Sequence, residues 1–334
     1  MKTINHFKND NMKTKRILLI LFLLGLSALA ESQLPLPPPP PPPPPPSGSG
    51  EVSKADSLVN EGDIQGAIAE YKKIYGLNPR DPGTTYNYAC VLSRGSQIDS
   101  AFRYLSLAVK LNPSTSALTD PDLLNLREDK RWEDFENDLI PMLNRKNNNA
   151  IKDIDYAKSL WRLLCMDQSC FYETGIAVRK LGPGSPVVTA LRRLQTMISE
   201  NNLKELESLL SQKGWPRRSE VGPEAAGAAF FVLQHSNAAA QQKYISMFEK
   251  CCRESEGSWQ QYALMFDRMR MNQNKPQRFG THTYLDPKAG SPNELYPLED
   301  DSKVDEWRKE IGLEPLKDYL KRTNIKYQPQ SEKK

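Results

Sequence analysis

Histidine is scarce in this chain, and the scarcity narrows its chemistry. Three of the 334 residues are histidine, and His6 lies in a stretch that reads as removable. His235 and His282 supply the rest. They lack a His-Glu-x-x-His spacing, so neither a metal site nor a cofactor is expected. No Gly-x-Ser-x-Gly elbow, phosphate-binding loop or dinucleotide fingerprint occurs, so none of those chemistries is signalled. Cysteine is also sparse, with five residues. Cys165 and Cys170 are five apart and Cys251 and Cys252 are adjacent, so neither set makes an easy local bridge. A long-range bridge between the two sets stays open, and buried free thiols are the favoured reading. Cys90 suits the buried face of a helix.

A surplus of one charge is lacking too. The chain holds 45 basic and 41 acidic residues, and residues 1–30 hold five of the first and one of the second, leaving 40 of each. Without net charge there is no electrostatic footprint for nucleic acid. The basic residues of that stretch, Lys2, Lys8, Lys13, Lys15 and Arg16, precede an apolar run from Ile17 to Leu26 and then Ser27-Ala28-Leu29-Ala30. The run is too short for a bilayer, which needs about 20 residues. Order and composition are those of a signal peptide cleaved after Ala30. The chain is therefore expected to be exported, periplasmic or extracellular. It would not be lipidated, because no cysteine follows the cleavage site, and would keep no membrane-spanning segment.

Residues 31–50 read as a spacer. Ten consecutive prolines, Pro37–Pro46, extend about 31 Å in polyproline II at about 3.1 Å per residue, and Ser47-Gly48-Ser49-Gly50 adds a flexible joint. A 34-residue period follows. Leu77-Asn78-Pro79 recurs as Leu111-Asn112-Pro113, and Ala67 as Ala101. With Gly62, Tyr71, Ala89 and Ala108, this resembles the tetratricopeptide repeat. Ser96 stands where the first repeat has Gly62. Asp81-Pro82 is a helix cap followed by a first-turn proline. Tyr86–Cys90, Asp120–Leu123, Leu126-Arg127 and Arg131-Trp132 look like the terminal unit of such arrays. Two repeats leave an apolar face uncovered, since about three are needed for stability. Residues 116–144 are therefore expected to cap the array, with one face against the rest of the chain. The resemblance implies a scaffold for a protein or peptide partner, or a platform for the chain's own C-terminal domain.

The polar stretch around Asn144–Asn149 divides residues 51–144, the repeat domain, from a second domain at 157–322. Residues 145–156 form the linker, and 323–334 a disordered tail. Helical spacing recurs over Tyr156–Leu164, Val187–Ile198 and Leu203–Leu210, and again over Tyr244–Cys252 and Trp259–Met271. Between them, Ala225–Leu233 carries no charge on any face, so a helix buried all round is expected after Pro223. It ends on a polar pair, Gln234-His235. Residues 276–285 alternate like a short strand or ordered loop, and Glu294–Leu298 can pair with them. Ser302 and Asp305 suggest a capping box, and Gly312 a left-handed cap. The fold class is mainly α: a short helical-repeat array, then an α-helical domain with a small β-hairpin or ordered loop.

The region from about 157 to 320 resembles an uncharacterised bacterial domain family. The residues that carry the resemblance are Asp167-Gln168, Gly214-Trp215-Pro216, Val221-Gly222, Gln234-His235, Asp267-Arg268, Gln277, Gly280-Thr281 and Gly312-Leu313 with Tyr319. That family usually has Gln where this chain has His282, and Arg near Phe171-Tyr172. The resemblance implies no activity.

These residues give the candidate site. His235, Asp267 and His282 are the candidate catalytic groups, with Trp215, Gln234, Arg268, Gln277 and Thr281 as candidate ligand contacts. The structural alternative bonds His235 to backbone or to Asp267, pairs Asp267 with Arg270, and leaves Arg268 for Asp167 or a ligand carboxylate. Arg217 and Arg218 precede the central helix, where an anion can bind, although solvated side chains are the plainer reading. Three functions stay open: a protein-binding module, a hydrolase or transferase around His235, and a purely architectural protein.

Overall fold

Caps set where the first helices begin. Ser53 caps α1 (Lys54–Glu61), Asp63 caps α2 (Ile64–Leu77), and Asp81 caps α3 (Pro82–Arg94), with Pro82 in the first turn. α4 (Ile98–Leu111) completes two helix pairs. The first pair ends its leading helix on Gly62 at φ 79°, and Ser96 takes the same left-handed turn at φ 57°. The backbone requirement is thus kept where the glycine is not, at the strain that a Cβ brings there. The arrangement is compatible with tetratricopeptide-like pairs. This computed structural model describes residues 53–147, 151–284, 294–323 and 325. The expected signal peptide, the spacer and nearly all of the tail lie outside the described residues.

The expected cap is built from α5 (Ser116–Thr119), a 3-10 turn at Pro121–Leu123, α6 (Leu124–Arg127) and α7 (Arg131–Lys146). Tyr86 donates to Asp120 at 2.8 Å, Arg94 pairs with Asp122 at 3.1 Å, and Asn125 donates to the Ser93 carbonyl.

The remaining helices are α8 (Ile154–Asp167), α9 (Phe171–Leu181), α10 (Pro186–Lys213), α11 (Arg218–Val221), α12 (Pro223–Gln234), α13 (Ala238–Arg253) and α14 (Trp259–Asn272). Two helices are expected within 187–210, and one continuous helix forms. Ser199-Glu200-Asn201 holds neither Gly nor Pro, and the buried Asn202 anchors the helix by donating to the Leu163 carbonyl at 3.1 Å. The connector is also tighter than a linker. α7 runs on to Lys146, Asn144 bonds both backbone groups of Ile151, and Ile151 bridges to Val221.

α12 is the element around which this half packs. Ala225–Phe230, Val232 and Leu233 are buried, as the uncharged sequence leads one to expect. It lies against α8, α10, α11 and α14. A pair of short strands follows, β1 (Thr283–Tyr284) antiparallel to β2 (Glu294–Leu295). α15 (Val304–Glu310) and α16 (Leu316–Thr323) close the described chain. Gly312 takes the expected left-handed turn, but Ser302 is not the cap. Its hydroxyl bonds Asp300, and Asp305 instead accepts from the Leu316 amide.

One hydrophobic core extends from Ala55 through Trp161 and α12 to Phe279, so the repeat pairs and the later helices share a single interior. α9 is the dock between them. Tyr172 and Arg179 bond Asn60, Arg94 reaches Glu173, and Ile176 packs at Gly62. The mainly α class and the small strand pair agree with expectation. All five cysteines are free thiols, four of them buried. Among the described residues no helix is long and apolar enough to cross a membrane.

Candidate functional site at the end of the buried helix

An apolar helix that stops inside a core must place its last polar side chains against something. α12 stops at Gln234, and His235 is its C-terminal cap. The imidazole faces the end of α8, where Asp167 grips Nδ1 with both carboxylate oxygens, at 2.9 and 3.0 Å. The Asp167 side chain is 1% exposed and that of His235 15%. Gln168 donates a further bond to Asp167 at 2.7 Å, and the Phe171 ring stands edge-on to the imidazole. A carboxylate at Nδ1 fixes the Nδ1–H tautomer, which leaves Nε2 as a lone-pair acceptor. That Nε2 is buried and without a partner.

Gln234, one residue earlier, points about 100° away around the helix. It donates to His282 Nε2 at 3.2 Å. The other ring nitrogen is 2.8 Å from Thr281 Oγ1, which donates its own proton to Asp267. The chain of bonds therefore runs from Gln234 through a neutral His282 and Thr281 to the Asp267 carboxylate. Burial, reinforced by the nearby Arg268 charge, holds the His282 imidazole down to about 3.

Asp267 is fully buried on α14 and accepts from the backbone amides of Arg278, Phe279 and Thr281. Burial raises its carboxyl above the usual range, and these donors pull it back. It wraps the 278–281 turn. The turn requires Gly280, at φ 68°, where a Cβ would lie 2.8 Å from Leu316 Cδ1. Gln277 clamps the same segment: its amide donates to the carbonyls of His282 and Tyr296 and accepts from the His282 amide. Arg308, 2% exposed, ties Phe279 and Glu314 by their carbonyls at 2.6 Å each.

Several expected pairings differ. The partner of His235 is Asp167, which comes from a helix that arrives across the helix end. Asp267 is committed to backbone, so it neither bonds His235 nor pairs with Arg270, which binds Glu299 at 3.2 Å. Arg268 does not reach Asp167. Its Nε is buried without a partner, and burial lowers its pKa. Gln277 and Thr281 use their polar atoms internally. Trp215 is a core residue, its ring stacked on Phe248 at 4.3 Å. Arg217 is engaged by Glu254 and Glu256, and the Ser219 amide by Glu256, so the chain's own carboxylates answer the anion site considered before α12. Asp167 is the residue that sequence reasoning placed wrongly. It stood among the family-like positions, and no spacing could link it to a histidine 68 residues later.

Two surface depressions lie elsewhere. One of about 380 Å³ is lined by Asn137, Ile140 and Asn144, the other, of about 440 Å³, by Arg127, Trp132 and Lys158. Among the described residues no cluster of three or more His, Cys, Asp or Glu side chains could hold a metal ion. No curated protein and no solved structure matches the chain. Residues 177–330 match the model of a family described as a family of unknown function (DUF6624). The matched stretch holds Gln234, His235, Asp267, Arg268, Gln277, Thr281 and His282 and begins after Asp167, so the C-terminal part of this chain is similar to that family.

Proposed function

We propose that this is an exported protein whose C-terminal part performs acid–base chemistry, as a hydrolase or transferase, with His235 as the proton acceptor. Export is supported by the basic, apolar and Ala-Leu-Ala order of residues 1–30. The observation that carries the chemistry is the Asp167–His235 pair, which has a bare Nε2. Asp167 holds the ring and stabilises the imidazolium. Nε2 takes a proton from a water or hydroxyl as its oxygen attacks, then returns it to the leaving group. His282 is unsuited to this role, because both its nitrogens are occupied and it stays neutral.

His235→Asn tests the reading without stripping Asp167 of its donor, since the Asn amide can replace Nδ1–H but has no Nε2. Folding should be near that of the unchanged protein. Turnover over a panel of carboxylic and phosphoric esters, amides and glycosides should fall by about 10²–10⁴. Retained turnover in the variant, or none in the unchanged protein, would refute the proposal.

The repeat pairs favour a second reading, as a surface for a protein or peptide partner. Tyr75, Tyr88 and Tyr104 cluster with centroids 4.6 to 5.9 Å apart, and Leu77, two residues after Tyr75 on the same helix, is 87% exposed. An exposed apolar residue near the half-buried Tyr75 and Tyr104, which rest on the buried Tyr88, suits an extended segment.

A further inference from the structure

α7 places Trp132 and Glu136 one turn apart on a single face, and both are buried at the edge of the core. α6 brings Arg127 to them, and α8 brings Lys158. The Arg127 guanidinium lies 4.5 Å over the Trp132 ring, with Nη1 3.9 Å from Glu136 Oε1. Lys158 Nζ stands 3.5 Å from Glu136 Oε2. All four side chains line the depression of about 440 Å³, to which neither Asp167 nor His235 contributes. That volume falls within about 300–1,000 Å³, the range of small-molecule sites.

Burial without close bonding sets this group apart. Glu136 is 8% exposed, yet both of its ion pairs are longer than a hydrogen bond. The other buried carboxylates are met closely. Asp267 accepts from three backbone amides, and Asp167 from His235 and Gln168. Arg127 Nε and Trp132 Nε1 are buried with no hydrogen-bond partner. Native structures seldom leave buried polar groups in that state. Arg127 Nη2 donates to the Leu118 carbonyl and Lys158 to Asn137 Oδ1, and these bonds fix the two cations beside the carboxylate. Glu136 is thus held between two cations, across gaps that the polar atoms of a small molecule can bridge.

The order of charge decides what fits. Cation, anion and cation alternate, and the lining holds three basic and four acidic side chains in all. An ammonium approaching Glu136 meets Arg127 and Lys158, and a carboxylate approaching either cation meets Glu136. A hydroxyl carries no net charge and both donates and accepts. We infer that this depression is a binding site for a neutral polyhydroxylated molecule, a sugar. Its hydroxyl hydrogens donate to Glu136, and its oxygens accept from Arg127 Nη1 and Lys158 Nζ. Two long ion pairs become bridged hydrogen bonds. The site precedes residue 177, where the family match begins, and it does not rest on the acid–base reading of His235.

Proton–nitrogen NMR of the full chain tests this, with the Trp132 indole N–H followed as glucose, galactose, mannose or N-acetylglucosamine is added. Trp132→Phe assigns the signal. At least one of the four sugars should shift it in a saturable way, whereas glycine and acetate should not. Glu136→Gln and Lys158→Met should each weaken that binding by about tenfold or more. Arg145→Met, in the other depression, should leave it unchanged. Lys158 is the more exposed of the pair, so its variant keeps the test decisive where Glu136→Gln disturbs folding. Any of four results would overturn the assignment: no saturable shift with any of the four sugars, saturable binding of glycine or acetate in their place, unchanged affinity in Lys158→Met, or an equal loss in Arg145→Met.

Discussion

At the scale of single residues, the two histidines divide by what their nitrogens touch. His235 spends one nitrogen on a carboxylate and keeps the other, whereas His282 spends both. His282 carries the clearer pH signature. Its folded value, about 3, lies below the ordinary histidine value, so the unfolded chain binds a proton first as pH falls. Its contribution to stability is complete above about pH 6.5 and is lost progressively towards pH 3. His282→Gln should therefore be less stable at pH 7.5, by about 1–2 kcal/mol, and the gap should narrow by pH 4.5. Asp267 is shifted in the opposite direction, but it is present in both proteins and cancels to first order. Chemical denaturation at the two pH values measures the gap, and a gap that widens in acid would contradict the assignment.

At the scale of elements, periodicity showed what it can show. The uncharged run Ala225–Leu233 allowed only a helix buried on every side, and α12 is that helix. The first two helix pairs were legible from Leu-Asn-Pro and Asp-Pro punctuation. Two features were not. The break expected within 187–210 came from reading two apolar stripes as two helices, although nothing between them ends a helix. The capping role given to Ser302 rested on spacing alone, while Asp300 competes for the same hydroxyl. The 278–281 turn is the element on which the site depends. Its geometry needs a left-handed residue packed against Leu316 and Leu298. Gly280→Ala should destabilise the protein by about 1–3 kcal/mol, and should also disturb His282, two residues on. A melting curve matching that of the unchanged protein would show the turn to be less constrained than the structure indicates.

At the scale of the molecule, what was legible was the order of parts, and what was hidden was how they close on one another. A boundary near 145–156 was drawn from polar composition, yet the core passes across it and Asn144 stitches it to Ile151. Composition reports solvent preference along the chain and says little about which helices meet. The same limit applies to the site. Gln234, His235 and Arg268 were named from sequence, but Asp167 was assigned to an arginine, because its approach to His235 depends on how α8 lies on α12. The first two helix pairs have α9 as their neighbour. The helical array is thus part of the frame that sets α8 and Asp167 against the end of α12.

The central claim is that this frame holds His235 with its proton on Nδ1 and a bare Nε2. Long-range proton–nitrogen NMR of histidine-labelled protein at pH 7.5 tests it most directly. The account predicts that His235 is protonated at Nδ1 with an unprotonated Nε2. A proton resident on Nε2, with Nδ1 bare against Asp167, would contradict it.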